Sequence, residues 1–326
     1  MKLILLFCLI LTSFSVFSQN YQVKLASDIW PPFTNIKGEK TFASDLVKEA
    51  LRRSATGETT EILDFQDVLS KIKEGEYDGS AALWKSAERE EYMLFSVSYL
   101  QNQLILVGRK GNDVSAASLS ELNGNKVAVV GNYAYGEEVE NAKGVEFISG
   151  KNDQENLEKL LKGETDYMLV DALLIQYLLH YQREEAAQYL EIGTTPLITR
   201  SLHFALRKDL PNAEKIIEGF NEQIVKMVID GSYNRILQIN WIKTDVDGDG
   251  KLELVLNGNQ AGQVAPSSSY NVFLNNEPSL THSSTSNRYY VEGNIYHNWD
   301  NVPEQYKQPQ VKIEDPGQVK LFKFNF

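Results

Sequence analysis

Arg89 and Asp171 are the two side chains of this sequence whose chemistry suits the recognition of a small zwitterion. Arg89 lies shortly after Trp84 in a charged stretch, and Asp171 ends an apolar run, residues 166–170, that is typical of a buried strand. A guanidinium binds a carboxylate through two parallel hydrogen bonds, and a fixed carboxylate attracts an ammonium group. If the fold brings the two residues to opposite walls of one cleft, they suit a molecule such as an amino acid.

Both residues also have ordinary structural interpretations. Arg89 stands among the glutamates of the stretch 88–91, and such groups are commonly solvated ion pairs that stabilise a fold very little. Asp171 is well placed to cap a helix over residues 172–181, and a capping role is compatible with ligand binding. The choice between these interpretations depends on the elements that position the two residues.

Short aliphatic runs alternate with segments of helical spacing from Tyr21 to about Trp241, which predicts a parallel-rich α/β architecture. The helical segments have recognisable ends, such as a possible Ser44 cap and a long helix that opens at Pro211. The predicted strands are Gln22–Ala26, Glu61–Leu63, Gly79–Trp84, Leu104–Val107, Lys126–Val130, Val145–Ile148, Asp166–Val170 and Ser201–Leu206.

The composition changes after Ile242. Residues 257–326 are rich in Asn, Ser, Gln and Tyr and have no helical period, and only Val319–Phe326 alternates like a strand. We therefore expect residues 243–326 to form a separate small appendage that is either β-structured or irregular.

The N-terminus predicts export. Lys2 precedes the apolar run 3–11, and small residues end the segment, so residues 1–18 are interpreted as a signal peptide and a periplasmic or secreted location is expected. Cys8, the one cysteine of the 326 residues, falls inside this segment, which argues against disulfides. The net charge of -12 and the lack of a basic cluster argue against nucleic-acid binding.

An ordered series of runs resembles the bacterial extracellular solute-binding proteins of family 3, the receptors for polar amino acids in ABC importers. The resemblance covers roughly residues 21–242. The runs that carry it are residues 26–34, 42–45 with Leu46, 75–79, 86–89 with Phe95, Ser96 and Tyr99, Gly131, 163–171 and 228–233.

The resemblance implies a periplasmic-binding-protein type II fold, in which two α/β lobes joined by two hinge crossovers close on the ligand. The crossovers then fall near Val107 and near residues 201–203. Lobe 1 is expected over residues 21–107 and 203–242, and lobe 2 over residues 108–202. Ligands in such sheets lie beyond the carboxyl ends of the strands.

The same resemblance assigns roles to particular residues. Arg89 matches the position that binds a ligand carboxylate, Ser86 matches a hydroxyl just before it, and Asp171 matches the acid that holds an ammonium group. Asn132 and Tyr133 follow Gly131, where the family usually has small hydroxyl residues beside free backbone N–H groups.

Aromatic residues are expected around this site. Trp84 replaces a small pocket-lining residue of the family, and Trp30 lies in the first matching run. Either tryptophan can serve as core packing or as a ligand platform. Together with Phe33, Tyr133 and Tyr135 they favour an aromatic-walled pocket, in which a cationic ligand would gain about 1 kcal/mol per good ring contact.

A second site is predicted in the stretch 245–253, where carboxylates alternate along a short loop. Oxygen atoms of such side chains, with one backbone carbonyl, surround a hard cation well, and Gly250 permits a sharp turn. The spacing is not that of a full EF-hand. We expect structural calcium, with ligands from Asp245, Asp247, Asp249, Lys251 (through its carbonyl) and Glu253.

The leading functional hypothesis is a non-enzymatic binding protein that captures a small amino acid or related polar solute and delivers it to an ABC permease, with only peripheral contact with the membrane complex. The sequence contains no nucleophile elbow, phosphate loop or zinc-ligand spacing. Two alternatives stay open. One is a lyase on the same fold, such as a cyclohexadienyl dehydratase, and the other is a sensor that does not take part in transport.

Overall fold

The computed structural model describes residues 21–39, 41–256, 262–266, 270–272, 287–308 and 321–324. Its strands are β1 Tyr21–Ser27, β2 Thr56–Ile62, β3 Gly79–Trp84, β4 Met93–Phe95, β5 Leu100–Arg109, β6 Lys126–Val130, β7 Glu146–Gly150, β8 Tyr167–Asp171, β9 Leu190–Arg207, β10 Trp241–Thr244, β11 Glu253–Leu256, β12 Tyr270–Asn271, β13 Tyr289–Val291 and β14 Asn294–Tyr296. Its helices are α1 Phe42–Arg53, α2 Phe65–Glu74, α3 Ala87–Tyr92, α4 Glu137–Glu140, α5 Asp153–Leu161, α6 Ala172–Tyr181, α7 Arg183–Tyr189, α8 Ala213–Ile229 and α9 Ser232–Leu237.

The first nine strands form one sheet in the order β2-β1-β3-β9-β5-β8-β6-β7, with β4 also paired to β9. The pairs β1–β2, β1–β3, β6–β7 and β6–β8 are parallel. The long strands β5 and β9 are antiparallel to each other, and they lie between the two groups of parallel strands. This confirms the predicted mixed α/β fold with two lobes.

The first lobe contains β1 to β4 with α1, α2, α3, α8 and α9, and the second lobe contains β6 to β8 with α4 to α7. Strands β5 and β9 run through both, as hinge strands do. The predicted crossovers near Val107 and residues 201–203 fall within these two strands. The residue limits of the lobes stay a prediction, because each hinge strand belongs to both halves.

The local elements follow the apolar pattern closely. In α8 the stripe formed by Ile216, Phe220 and Ile224 is buried, as its helical spacing predicts. Two end positions were wrong: α1 is already helical at Phe42, so Ser44 lies inside it rather than at its cap, and α8 begins after Asn212. Element ends depend on local backbone geometry more than on apolar spacing.

A second sheet follows the first lobe, in the order β12-β10-β11-β13-β14. It begins at Trp241. Ile242 and Val255 of this sheet are buried in the same core as Phe220, so the sheet is attached to the first lobe. Asn234 reinforces the attachment, because its side-chain amide donates to the Val255 carbonyl at 3.1 Å.

The strand expected over Val319–Phe326 is wrong for the part that the structure describes. Residues 321–324 belong to no strand. Instead, their backbone pairs with glutamine side chains of the second lobe. Among the described residues, no helix combines the length and apolar character that crossing a membrane requires.

Candidate functional site

The predicted ligand-binding residues converge on the carboxyl ends of the sheet strands. Trp84 is the last residue of β3, Asp171 is the last of β8, and Asn132 follows β6 after Gly131. Asn132 adopts a left-handed backbone with φ of 63°, a conformation that asparagine tolerates better than most residues. Side chains of both lobes therefore meet at one edge of the sheet.

Arg89 is buried, with 4% of its surface exposed. One terminal nitrogen donates to the Trp84 carbonyl at 2.6 Å, and the other donates across the cleft to the Asn132 carbonyl at 2.8 Å. Ser86 caps α3 by accepting from the Arg89 backbone N–H at 3.3 Å, which fixes the residue that carries the guanidinium. Burial lowers the pKa of Arg89 from its usual value. Arg89 therefore faces the interior of the cleft rather than a solvated ion-pair surface.

Asp171 is the N-cap of α6 and is also buried. One carboxylate oxygen accepts from the Leu173 backbone N–H at 2.7 Å, and the other accepts from the Asn102 side-chain amide at 2.9 Å. The oxygen of that amide accepts from the Trp84 indole N–H at 2.7 Å. Arg89 in turn donates to the Trp84 carbonyl. The predicted carboxylate-binding and ammonium-binding residues, Arg89 and Asp171, are therefore connected through Trp84 and Asn102.

Tyr133 reaches from the second lobe into an aromatic cluster of the first. Its ring centroid lies 5.5 Å from that of Trp30, 5.2 Å from that of Trp84 and 4.7 Å from that of Phe65. Its hydroxyl donates to the Asp28 carboxylate at 2.9 Å. The expected aromatic residues therefore cluster at the site, and Tyr133 occupies the centre of the cluster; that they form the wall of a ligand pocket stays a prediction.

Three carboxyl groups around the cluster have raised pKa values. Burial raises the pKa of Asp28 to about 6, although the Tyr133 hydroxyl opposes the shift. Burial also raises the pKa of Asp171 to about 7, against the hydrogen bonds from Asn102 and the start of α6. The pKa of Asp153 rises to about 7 because of burial and the charges of Asp171 and Asp28. A cation bound beside these groups would attract their charged forms and so favour ionisation.

An open groove leads to this cluster. It has a volume of about 1450 Å³ and is lined by residues of both lobes, including Ser86, Arg89, Asn132 and Tyr133. Beyond it a cavity of only about 10 Å³ lies beside Asp28 and the rings. The lobes are thus closed on each other around the Tyr133 side chain.

Three residues of this site were not predicted from the sequence. Asp28 lies directly after β1, in one of the runs that carry the family resemblance. Its position at the end of a strand therefore indicated a site residue. Asn102 lies between two glutamines in the hinge strand β5, so its polarity was a weaker signal. Asp153 begins α5 and carried no signal, because only the packing of α5 and β8 within the second lobe brings it near Asp171.

The acidic loop brings together part of the predicted metal site. Single carboxylate oxygens of Asp245, Asp247 and Glu253 lie within 4.8 Å of one another, and Glu253 is fully buried. Arg288 lies against the same loop, 2.9 Å from Glu253, 3.1 Å from Asp247 and 2.8 Å from Asp249. The three clustered oxygens are hard ligands of the kind that calcium prefers, and in this structure the Arg288 guanidinium is their counter-charge.

The two other predicted metal ligands have local roles. The Asp249 carboxylate accepts from the Lys251 backbone N–H at 2.9 Å and lies 3.8 Å from the Lys251 ammonium. Asp249 does not belong to the group of three clustered carboxylates.

This chain belongs to the bacterial extracellular solute-binding proteins, family 3, whose sequence profile matches residues 23–244. The match confirms the resemblance and accounts for the two lobes. It ends at the last residue of β10, so it leaves out the remaining strands of the second sheet and residues 321–324.

Solved structures share the fold at low sequence identity. An ancestral arginine-binding protein bound to arginine is 24% identical, with a TM-score of 0.56, and the alignment covers 67% of this chain and 96% of that one. The periplasmic binding protein of an arginine transport system from Legionella pneumophila is 22% identical, with a TM-score of 0.57 and coverages of 67% and 98%. The GluR0 ligand-binding core from Nostoc punctiforme, in complex with L-glutamate, is 19% identical, with a TM-score of 0.55 and coverages of 66% and 96%.

A sequence relative of a different kind is the virulence sensor protein BvgS of Bordetella pertussis. It is 28% identical over 111 residues, which are 33% of this chain and 9% of that sensor. The chain therefore matches only a small part of the sensor's length.

Proposed function

We propose that this protein captures a small amino acid with a positively charged side chain by closing its two lobes around it. The observation that carries the proposal is the convergence of Arg89 from the first lobe and Asp171 from the second on one hydrogen-bonded network. Arg89 would bind the ligand carboxylate and Asp171 the ammonium group.

The preference for a cationic side chain rests on the charge balance of the site. The carboxyls of Asp28, Asp153 and Asp171 surround the aromatic cluster, whereas Arg89 is the cation buried against it. A zwitterion neutralises Arg89 and one carboxyl, which leaves two carboxyls for a further positive charge. The rings of Trp30, Trp84 and Phe65 add cation–π attraction. The arginine-binding neighbours agree with this class of ligand.

Ligand entry requires the lobes to separate and Tyr133 to leave the cluster. The Asn132 carbonyl now accepts from Arg89, as a ligand carboxylate would, and the Tyr133 hydroxyl holds Asp28. A ligand therefore exchanges these two cross-cleft contacts for its own, and its net affinity is the difference between the two sets.

Isothermal titration calorimetry with L-arginine, L-lysine, L-alanine and L-glutamate tests the proposal. Arginine or lysine should bind most tightly and glutamate most weakly. Arg89→Lys keeps the charge but removes the paired donors, so arginine affinity should fall by about 30-fold or more, equivalent to at least 2 kcal/mol. Arg52→Lys, on an exposed part of α1, is the matched control. Undiminished affinity in Arg89→Lys, or an absence of binding by every cationic amino acid, would overturn the proposal.

Delivery to an ABC permease is the use that we propose for the bound solute, in line with the transport-system neighbour. A sensory role is the second candidate, and the partial match to BvgS favours it. Uptake of labelled arginine by cells with and without this protein separates the two roles. Loss of uptake supports import, and a transcriptional response with unchanged uptake supports sensing.

A lyase activity is a further candidate, because buried carboxyls with pKa values near 6 and 7 can act as general acids. Incubation with prephenate or arogenate tests it. Turnover that Asp171→Asn abolishes would favour an enzyme over a binding protein.

We also propose that Asp245, Asp247 and Glu253 hold a structural calcium ion, with Asp249 and the Lys251 carbonyl as further ligands. The clustered carboxylates of a short loop beside β11 support this proposal. The ion would replace Arg288 as the counter-charge of Glu253 and would stabilise the second sheet.

Residues 1–18 stay a predicted signal peptide and lie outside the described residues, and the periplasmic location is a proposal that accords with the family.

A further inference from the structure

We infer that Asp153 binds the distal positive charge of the ligand side chain and thereby selects an amino acid with the length of arginine or lysine. The inference rests on the proposed function, in which Arg89 and Asp171 take the ligand carboxylate and ammonium group. Three observations carry it: the strand edge on which Asp153 lies, the unpaired polar groups at the start of α5, and the spacing from Asp171.

Asp153 lies at the same edge of the sheet as the other site residues of the second lobe. The parallel strands β8, β6 and β7 are neighbours in that order. The N–H of Gly131, just after β6, donates to the carbonyl of Gly150, the last residue of β7, at 2.8 Å. Asp171 ends β8, and Asp153 begins α5 three residues after β7 ends. The loop that carries Tyr133 therefore leaves the sheet between the two acids.

The electrostatic environment of Asp153 agrees with this placement. Burial raises its pKa to about 7, and the charges of Asp171 and Asp28 raise it further. Burial also raises the pKa of the Tyr135 hydroxyl, and the charge of Asp153 is the second cause of that shift. The same charge contributes to the raised pKa of Tyr133, after burial and the charge of Asp28. Asp153 therefore acts on groups at the centre of the aromatic cluster.

Asp153 differs from the other two acids in its contacts. The Asp171 carboxylate accepts hydrogen bonds through both oxygens, and the Asp28 carboxylate accepts from the Tyr133 hydroxyl. Within the part of the chain that the structure describes, no hydrogen bond or ion pair reaches the Asp153 carboxyl. An ionised carboxylate with no protein donor is unfavourable in the ligand-free form, so it gains most from an arriving cation.

A second unpaired side chain lies one helical turn further along α5. Asn156 is 0% exposed, and among the described residues neither its amide nitrogen nor its amide oxygen has a hydrogen-bond partner. Its spacing from Asp153 places both on one face of the helix. The amide lies against the end of β7, because a Cβ added to Gly150 would be 2.2 Å from its oxygen. This edge thus has an amide oxygen, beside the carboxylate, for a group such as guanidinium that carries several donors.

The spacing across the strands suits arginine and lysine. Neighbouring strands lie about 4.8 Å apart, so the ends of β8 and β7, on either side of β6, are about 10 Å apart. Either side chain has five bonds of about 1.5 Å between its α-carbon and its cationic end, and they span about 6 Å when extended. A hydrogen bond of about 2.9 Å at each end extends the reach to about 12 Å. Ornithine, one methylene shorter, reaches about 1 Å less.

Calorimetry with L-arginine and L-citrulline tests the assignment. Citrulline has the length of arginine but no charge, so the ratio of the two dissociation constants isolates the distal charge. The unsubstituted protein should favour arginine by about thirtyfold or more, and Asp153→Asn should reduce this preference to less than about threefold. Glu164→Gln, an exposed acid of the same lobe, is the matched control and should keep the full preference. Asp153→Glu retains the charge and should keep arginine ahead of citrulline.

A length series gives a second readout. L-lysine should bind more tightly than L-ornithine to the unsubstituted protein, and Asp153→Asn should remove most of this difference, because the longer chain then reaches no charge. Thermal unfolding checks that each variant is folded. If Asp153→Asn is not folded, Asp153→Ser takes its place in both experiments.

Asp28→Asn decides which lobe binds the distal charge. If Asp28→Asn removes the preference for arginine over citrulline and Asp153→Asn does not, the charge belongs to Asp28 and the assignment to Asp153 is overturned. Equal affinities for arginine and citrulline in the unsubstituted protein would also overturn it. Amino acids still bind in both cases, so amino-acid capture itself survives. Failure of every amino acid to bind would instead overturn the proposed function and this assignment together.

Discussion

The Tyr133 hydroxyl donates a 2.9 Å hydrogen bond to the Asp28 carboxylate, and this bond joins the two lobes across the cleft. The neighbouring residue, Asn132, accepts from Arg89 at 2.8 Å. Two consecutive residues of the second lobe thus satisfy one anionic and one cationic group of the first. Closure without a solute is stabilised by contacts that resemble those a zwitterion would make.

Tyr133→Phe should therefore tighten the binding of L-arginine. The substitution keeps the ring in the cluster but removes a hydrogen bond to a carboxylate, which is worth about 1.5 to 3 kcal/mol in the closed ligand-free form. Weakening that form should raise the affinity measured by calorimetry by about tenfold or more. Tyr135→Phe is the control, because its hydroxyl accepts from the Val130 N–H within the second lobe. Weaker binding by Tyr133→Phe would assign the hydroxyl to ligand contact instead.

Asp153→Asn should stabilise the ligand-free protein at pH 8 but not at pH 4. The folded pKa of Asp153 is about 7, above the usual 3.8, so the folded form binds more protons between these values. The free energy of unfolding therefore falls as the pH rises from about 4 to about 7. Above pH 7 the full destabilisation caused by the ionised Asp153 is present. Removing the carboxyl should recover about 1 to 3 kcal/mol at pH 8, since Asp153 is partly exposed.

Thermal unfolding of both proteins at the two pH values measures this difference. Glu164→Gln is the control, because Glu164 is an exposed acid of the same lobe, and it should shift the melting temperature equally at both pH values. An Asp153→Asn effect that does not depend on pH would mean that Asp153 ionises normally.

Asn102→Ala should destabilise the protein and weaken arginine binding together. Asn102 satisfies both the Trp84 indole N–H and an Asp171 oxygen, and the substitution leaves both buried groups without this partner. The expected loss in the free energy of unfolding is about 1 to 3 kcal/mol by urea titration. Asn141→Ala, on an exposed turn after α4, should cost less than about 0.5 kcal/mol. If the two substitutions had equal effects, the buried hydrogen bonds of Asn102 would contribute no more to stability than the exposed side chain of Asn141.

Removal of calcium should lower the melting temperature of the full chain. A site saturated one-hundredfold above its dissociation constant stabilises the fold by about 2.7 kcal/mol, so EDTA should remove that stabilisation and added calcium should restore it. Asp245→Asn should lower the melting temperature in calcium and abolish the response to EDTA. Glu39→Gln, an exposed acid far along the chain, should leave the response intact. An unchanged melting temperature in EDTA, with no calcium found by elemental analysis, would contradict the calcium proposal.

The sequence by itself determined the two-lobe α/β fold, because aliphatic runs of strand length and the ordered family motifs are local features. It also predicted Arg89, Trp84 and Asp171 as site residues, and the structure joins these three in one hydrogen-bonded network, because their positions at strand ends or in a recognisable motif are encoded nearby in the chain. Helix ends such as that of α1 were less well determined, since a capping residue is selected by backbone geometry that apolar spacing does not specify.

Only the tertiary structure decided which residues meet across the cleft. Asp28 and Tyr133 are more than a hundred positions apart, and Gln182 contacts Phe322 from still farther along the chain. Their pairing depends on how the lobes close and on where the second sheet is attached. The raised pKa values of Asp28, Asp153 and Asp171 also depend on the tertiary structure, because burial raises all three and the charges of Asp171 and Asp28 further raise that of Asp153. Both causes depend on distances in space rather than on neighbours in sequence.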